Sequence, residues 1–286
     1  MERELPFDVW GHVLMWHVDD KSTFLAISSI CTTVAKCARV PYVRVVVLSR
    51  LYGTLNALLK MARRGMRDEM RIAFSSGAHL SLPEGHLEYV CIESAENGHL
   101  DCLICAHEND CPWEVNVCEV AAAGGHLECL VYAHERGCPW NSWTCDKAAT
   151  YGNLECLKYA VKHGCPTDKW TCSSAAQRGQ LNCLAFAHEL GCQWDEITCE
   201  VAAHGGHLEC LVYAHENGCP WNERTCKGAA DGGRLDCLVY AHEHGCPWDS
   251  DTYFEAEFFG YVDCVEYARK HGCPNDDGTV RNSINV

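Results

Sequence analysis

The chain has 286 residues, 48% of them hydrophobic, with 23 Lys+Arg against 39 Asp+Glu, which is enough to bury a substantial core in one or two domains. It holds no uninterrupted apolar run of the roughly 18 residues a membrane span needs, and its start lacks the basic flank, apolar stretch and small-residue cleavage site of a secretory leader. This composition predicts a protein without a membrane partner that stays in the cytoplasm or nucleus.

Charge divides the chain. Residues 1–75 hold 11 Lys+Arg and 7 Asp+Glu, whereas residues 76–286 hold 12 and 32. So acidic a major portion repels a phosphate backbone, which excludes nucleic acid as the expected partner.

The first predicted elements are helices within residues 1–48. LPFDVW opens one, with Val9, Val13, Leu14 and Trp16 recurring along it; a second apolar stretch holds Phe24, Leu25, Ile27, Ile30 and Cys31. The segment resembles an F-box, the short helical module that docks on the Skp adaptor of cullin-based ubiquitin ligases. Leu5, Pro6, Asp8, Val9, Trp10, Val13, Leu14 and Cys31 match its pattern, although the spacing to Cys31 is longer and Val34 stands where an F-box has Trp. The resemblance implies adaptor contacts through Leu5, Pro6, Val9, Trp10, Val13, Leu14, Ile27 and Cys31. The alternative is that these helices only cap the repeats that follow.

Residues 49–90 read as a degenerate repeat or linker. Gly53 and Gly65 stand twelve apart around TLNALLKMARR, the spacing that flanks second helices further on, DEMRIAFSSG resembles a first helix, and GAHLSLPEGHLEYV does not scan as a unit.

From residue 91 to 280 the chain repeats. Gly98, Gly125, Gly152, Gly179, Gly206, Gly233 and Gly260 follow one another at intervals of 27, and three cysteine columns keep the same register. Seven copies at one period are the signature of a solenoid, in which each unit buries its apolar face against its neighbours. The unit reads as two helices. TCDKAATY carries alanines that let another helix approach, Gly152 turns the chain, and Leu154, Leu157 and Ala160 recur at helical spacing, with Gly164 and Pro166 ending the second helix. Tyr253, Phe258, Phe259 and Val265 alter the seventh copy, which predicts a terminal cap over the last core face. Residues 281–286 form a tail.

GHLECLVYAHERGCPWN and TCDKAATYG resemble the second and first helices of an ankyrin repeat. The resemblance implies an all-α, ankyrin-like helical solenoid. Its period is shorter than the ankyrin value of about 33, and the missing residues fall between Asn141 and Thr144, which implies hairpin fingers shortened to tight loops.

Three cysteines and two histidines crowd Gly125–Cys145. A zinc site wants four convergent ligands and close pairs such as CxxC; the nearest constellation here is His134, Cys138 and Cys145, and Val161 and Arg269 replace the histidine elsewhere. No metal, cofactor or catalytic residue is expected. Cysteines of one column sit a helix spacing apart, too far for disulfides, while different columns are free to meet within a unit; a reducing compartment favours thiols. The cysteines therefore read as small buried hydrophobes. Trp113, Trp140, Trp194, Trp221 and Trp248 read as core or loop packing residues, the alternative being an exposed aromatic stripe for ligands. His99, His126 and His207, and His107, His134, His188, His215 and His242, read as hydrogen-bond partners of the backbone or of a neighbouring repeat.

No P-loop, dinucleotide glycine fingerprint or HExxH is present, so the sequence points to a non-enzymatic adaptor. An F-box before ankyrin-like repeats is an arrangement the resemblance associates with large DNA viruses, including those of amoebae. In this reading the repeats bring a protein target with a partly basic surface to the Skp-type adaptor; the alternative is a scaffold or sequestering protein. The columns that vary between repeats, Asn116, Trp143, Trp170, Ile197 and Arg224, and Glu119, Asp146, Ser173, Glu200 and Lys227, border the concave face by the resemblance and are the candidate target contacts.

Overall fold

The computed structural model describes residues 54–77 and 87–275. The F-box-like segment, with Leu5, Pro6, Val9, Trp10, Val13, Leu14, Ile27 and Cys31, and the tail 281–286 lie outside the described residues. Within them the fold is all-α, with sixteen helices in pairs and no strand. The pairs are α1 (Thr54–Arg63) and α2 (Arg67–Ser75); α3 (Glu88–Glu96) and α4 (Leu100–Glu108); α5 (Val115–Gly124) and α6 (Leu127–Glu135); α7 (Ser142–Thr150) and α8 (Leu154–Lys162); α9 (Lys169–Gln177) and α10 (Leu181–Glu189); α11 (Glu196–Gly205) and α12 (Leu208–Glu216); α13 (Glu223–Asp231) and α14 (Leu235–Glu243); α15 (Ser250–Phe258) and α16 (Val262–Lys270).

Each helix is 9 or 10 residues long, shorter than the roughly 12–15 residues at which an isolated helix becomes marginal in water. Caps and packing must therefore hold them. The Asn141 side chain accepts from the Trp143 amide at 2.9 Å, and Asp168, Asp195, Asn222 and Asp249 repeat the cap on α9, α11, α13 and α15; each such cap contributes about 1 kcal/mol. At the other end Gly152 takes φ 75°, and the Asn153 amide donates to Ala148 O at 2.8 Å, which closes α7 in a Schellman turn. The residue after the glycine then caps the preceding pair: Asn153 Nδ2 donates to the carbonyls of Ala122 and Ala123, both at 2.8 Å, satisfying acceptors a helix end leaves open.

The described residues divide into two compact units, one within Met1–Ala121 with Glu128–Cys138 and the other within Ala122–Leu127 with Pro139–Val286. In the second, first helices stack on first helices from α7 through α15, and second helices on second helices from α8 through α16. Between the layers Cys145, Ala148 and Ala149 meet Cys156, Leu157 and Ala160, all buried, and the same positions are buried in the next three repeats. Alanine and cysteine permit the close approach, and leucine supplies most of the apolar area; burying one such side chain contributes about 1.5–3 kcal/mol.

In the first unit α1 stacks on α3 and α2 on α4, so residues 54–77 form a complete helix pair with the roles opposite to those expected. Thr54–Arg63 is a first helix and Arg67–Ser75 a second one. The turn glycine is Gly65, at φ 64°, and His99 Nε2 reaches Arg63 O at 3.1 Å as Asn153 reaches Ala122. The glycine pair that flanks the second helix is Gly65 and Gly77, not Gly53 and Gly65. Gly65 to Gly98 is 33 residues where later intervals are 27, and this longer step hid the register. Leu58, Met61 and Met70 fill positions that later pairs give to cysteine, alanine and leucine.

The last pair does not close its outer face among the described residues. Phe254, in the column of Asp146, is 51% exposed, and Val262, in the column of Leu154, is 64% exposed. Phe258 and Phe259 touch edge to face at 5.0 Å but stay open to solvent. A cap needs a polar outer face, and these substitutions supply an apolar one.

Candidate protein-interaction surface

The cysteine columns are core. Among the described cysteines all but Cys192 are buried. Burial pushes Cys156, Cys183, Cys210 and Cys237 up to about 11, so these thiols stay protonated and act as small hydrophobes. The loop cysteines also make a bond of their own, since the sulfurs of Cys165, Cys219, Cys246 and Cys273 each lie 3.2 Å from the carbonyl of the N-cap residue 24 positions earlier. They tie each exit loop to the start of its own first helix. Different columns do meet within a repeat: Cys145 hydrogen-bonds to Cys165, Cys199 to Cys219 and Cys226 to Cys246, and this contact, followed by burial, raises the pKa of each first-helix thiol.

The loop tryptophans and turn histidines form one recurring cluster. His188 stacks on Trp194 with ring centroids 3.8 Å apart, and its Nδ1 lies 3.2 Å from the hydroxyl of Tyr213 in the next repeat. His215 with Trp221 and Tyr240, and His242 with Trp248 and Tyr267, reproduce it, as does His107 with Trp113 and Tyr132 in the first unit. Burial, then the neighbouring cations or imidazoles, lowers the pKa of His107, His215 and His242. Neutral imidazoles bonded to a neighbouring repeat are what this packing needs. Tyrosine is the member of the cluster that the sequence reading missed, and its 27-residue recurrence at Tyr132, Tyr159, Tyr213, Tyr240 and Tyr267 was the available signal.

The variable columns behave differently from each other. In the first, Trp143 is 58% and Trp170 49% exposed, Arg224 is exposed and Ile197 half-buried. Lys147 Nζ lies 5.8 Å from the Trp143 ring and Lys169 Nζ 5.1 Å from the Trp170 ring, cation–π contacts that leave both indoles accessible. Asn116, in the first unit, is exposed. In the second column Asp146 and Ser173 are buried. Asp146 accepts from Thr171 across the repeat boundary, and Ser173 turns its hydroxyl to the carbonyls of Lys169 and Trp170. Neither is available to a target, because this column faces the next repeat. Glu119, Glu200 and Lys227 are half-buried, and Lys227 pairs with Asp251 at 2.9 Å and Glu255 at 3.4 Å. The remaining acids crowd the second helices, where Glu155, Glu189, Glu209, Glu216, Asp236 and Glu243 are all exposed.

Among the described residues no three His, Cys, Asp or Glu side chains converge as a metal ion requires, and no helix is long and apolar enough to cross a membrane. No protein-family model matches the chain, and no curated protein matches it. Among solved structures, the human ASB11 ankyrin repeat domain is similar over 57% of this chain and 84% of that chain, at 17% identity and a TM-score of 0.49.

Proposed function

We propose that the protein is a non-enzymatic adaptor in which the first-helix face of the second unit holds a protein target and residues 1–48 engage a Skp-type ubiquitin-ligase adaptor. The observation that carries the target half is the pair of exposed tryptophans, Trp143 and Trp170, on the stacked helices α7 and α9. An indole left half in water loses hydrophobic stabilisation, and large aromatic anchors ringed by charged groups are the composition of binding hot spots. Ile197 and Arg224 extend this strip, with Glu200 and Lys227 at its edge; Asn116 and Glu119 hold the corresponding columns of the first unit. The exposed acids of the second helices favour a target with a basic surface, since they accelerate its encounter. The adaptor half rests on the F-box resemblance of Leu5, Pro6, Val9, Trp10, Val13, Leu14, Ile27 and Cys31.

The experiment is affinity capture of the tagged full chain from cells. Wild type should retain the Skp-type adaptor and a target protein together. Val9→Asp with Leu14→Asp should lose the adaptor and keep the target, whereas Trp143→Ala with Trp170→Ala should do the reverse. Failure of the wild type to retain the adaptor would leave a scaffold or sequestering protein with the same target face.

A further inference from the structure

We infer that Cys192 and Cys172 form a thiol-modification site, in which a hydroperoxide oxidises Cys192 and Cys172 resolves the product to a disulfide within one repeat. Cys192 is the exception in its column. It alone among the described cysteines is partly exposed, and it lacks the bond to the N-cap carbonyl that Cys165, Cys219, Cys246 and Cys273 make at 3.2 Å. The local sequence differs as well. Every other loop cysteine is followed by proline, and Cys192 by Gln193, whose Nε2 donates back to Gly191 O at 3.3 Å. Proline fixes φ and stiffens a turn, so this loop has lost both the constraint and the sulfur tether of its neighbours.

Cys172 stands directly beneath. It is fully buried on α9, and its sulfur lies 4.0 Å from the carbonyl oxygen of Cys192, which sets the Cys172 side chain against the loop that carries Cys192. Its burial keeps Cys172 from meeting an oxidant first. The partly exposed Cys192 reacts first: Cys192–SH and a hydroperoxide ROOH give Cys192–SOH and ROH. The Cys172 thiol then displaces water from the sulfenic acid, forming the S–S bond, and a dithiol reductant reverses the change.

The disulfide would also act on the surface above it. The loop that carries Cys192 ends at Asp195, which caps α11 and pairs with Lys169 Nζ at 2.9 Å, and Lys169 is the cation over Trp170. Closing the bond draws this loop toward α9 two residues from Trp170.

The test uses the reduced full chain, a molar excess of hydrogen peroxide, alkylation of the remaining thiols and peptide mass mapping. The expected product is a Cys172–Cys192 linked peptide that forms before any other crosslink and disappears on treatment with a dithiol. Gln193→Pro, which restores the residue of the other loops, should slow its formation several-fold, and Cys192→Ser should abolish it. Crosslinking of Cys145 to Cys165 or Cys226 to Cys246 at the same rate would overturn the assignment, as would Cys192 sulfinic acid accumulating while Cys172 stays open to alkylation. Both readouts are independent of any target.

Discussion

Thr171 donates its hydroxyl hydrogen to Asp146 across a repeat boundary, Oγ1 to Oδ1 at 2.6 Å, with both residues buried. Burial raises the pKa of Asp146 to about 6, against the lowering effect of the Thr171 hydrogen bond. Its unfolded value is about 3.9, so between these two pH values the folded state holds the proton more tightly. Stability is then highest below the unfolded pKa and is lost as pH rises through the folded one. Asp146→Asn keeps an acceptor for Thr171 and removes the charge. It should raise stability at pH 8 by on the order of 1–3 kcal/mol and change little at pH 4. Urea unfolding at the two pH values measures this, and a destabilised Asn variant at pH 8 would contradict it.

The histidine clusters predict the opposite slope in a higher window. His107, His215 and His242 have depressed pKa values, with burial as the first cause. Below the unfolded value of about 6.5 the unfolded chain binds protons more readily, so stability should fall as pH drops from there through the depressed values. Protonation also turns Nδ1 from a possible acceptor of the tyrosine hydroxyl into a donor. Tyr240→Phe and Tyr267→Phe, each removing one hydroxyl, should cost about 1 kcal/mol apiece at pH 7.5. Imidazole titration by NMR, with melting at pH 5 and 7.5, checks both statements.

Two glycines separate backbone strain from steric contact. Gly164 has φ 84° with nothing within 4 Å of a built Cβ, whereas at Gly152, φ 75°, that atom would stand 2.2 Å from Gln180 Oε1. Gly164→Ala should cost about 1–2 kcal/mol from the left-handed backbone alone. Gly152→Ala should cost more, and Gln180→Ala in that background should recover the excess. A Gly152→Ala penalty equal to that of Gly164→Ala would show that the glutamine simply swings aside.

Core and surface substitutions should diverge in their effects. Leu184→Ala, at a fully buried position, should cost about 2–5 kcal/mol. Trp143→Ala with Trp170→Ala, at exposed positions, should leave circular dichroism and melting nearly unchanged while lowering target affinity. Substantial loss of stability in the double variant would mean that the indoles hold the helices together.

The helix pairs and their period were legible in the residues alone. Helix caps, turn glycines and the spacing of Leu154, Leu157 and Ala160 act within one repeat, where bonds form between residues a few positions apart. The core role of the cysteines was legible too, since a column of small apolar residues at helical spacing has one place to go. Packing between repeats settled the rest. That Asp146 and Ser173 are buried while Trp143 and Trp170 are exposed depends on which side of α7 and α9 the next repeat covers. The register of Gly65 became readable only with α1 stacked on α3, because its helix looks locally like either member of a pair. Phe254 and Val262 occupy columns that face a following repeat, yet they remain exposed among the described residues. In a repeat array the burial of a column is a property of the neighbour, and a neighbour 27 residues away leaves no mark on the local chemistry of the residue it covers.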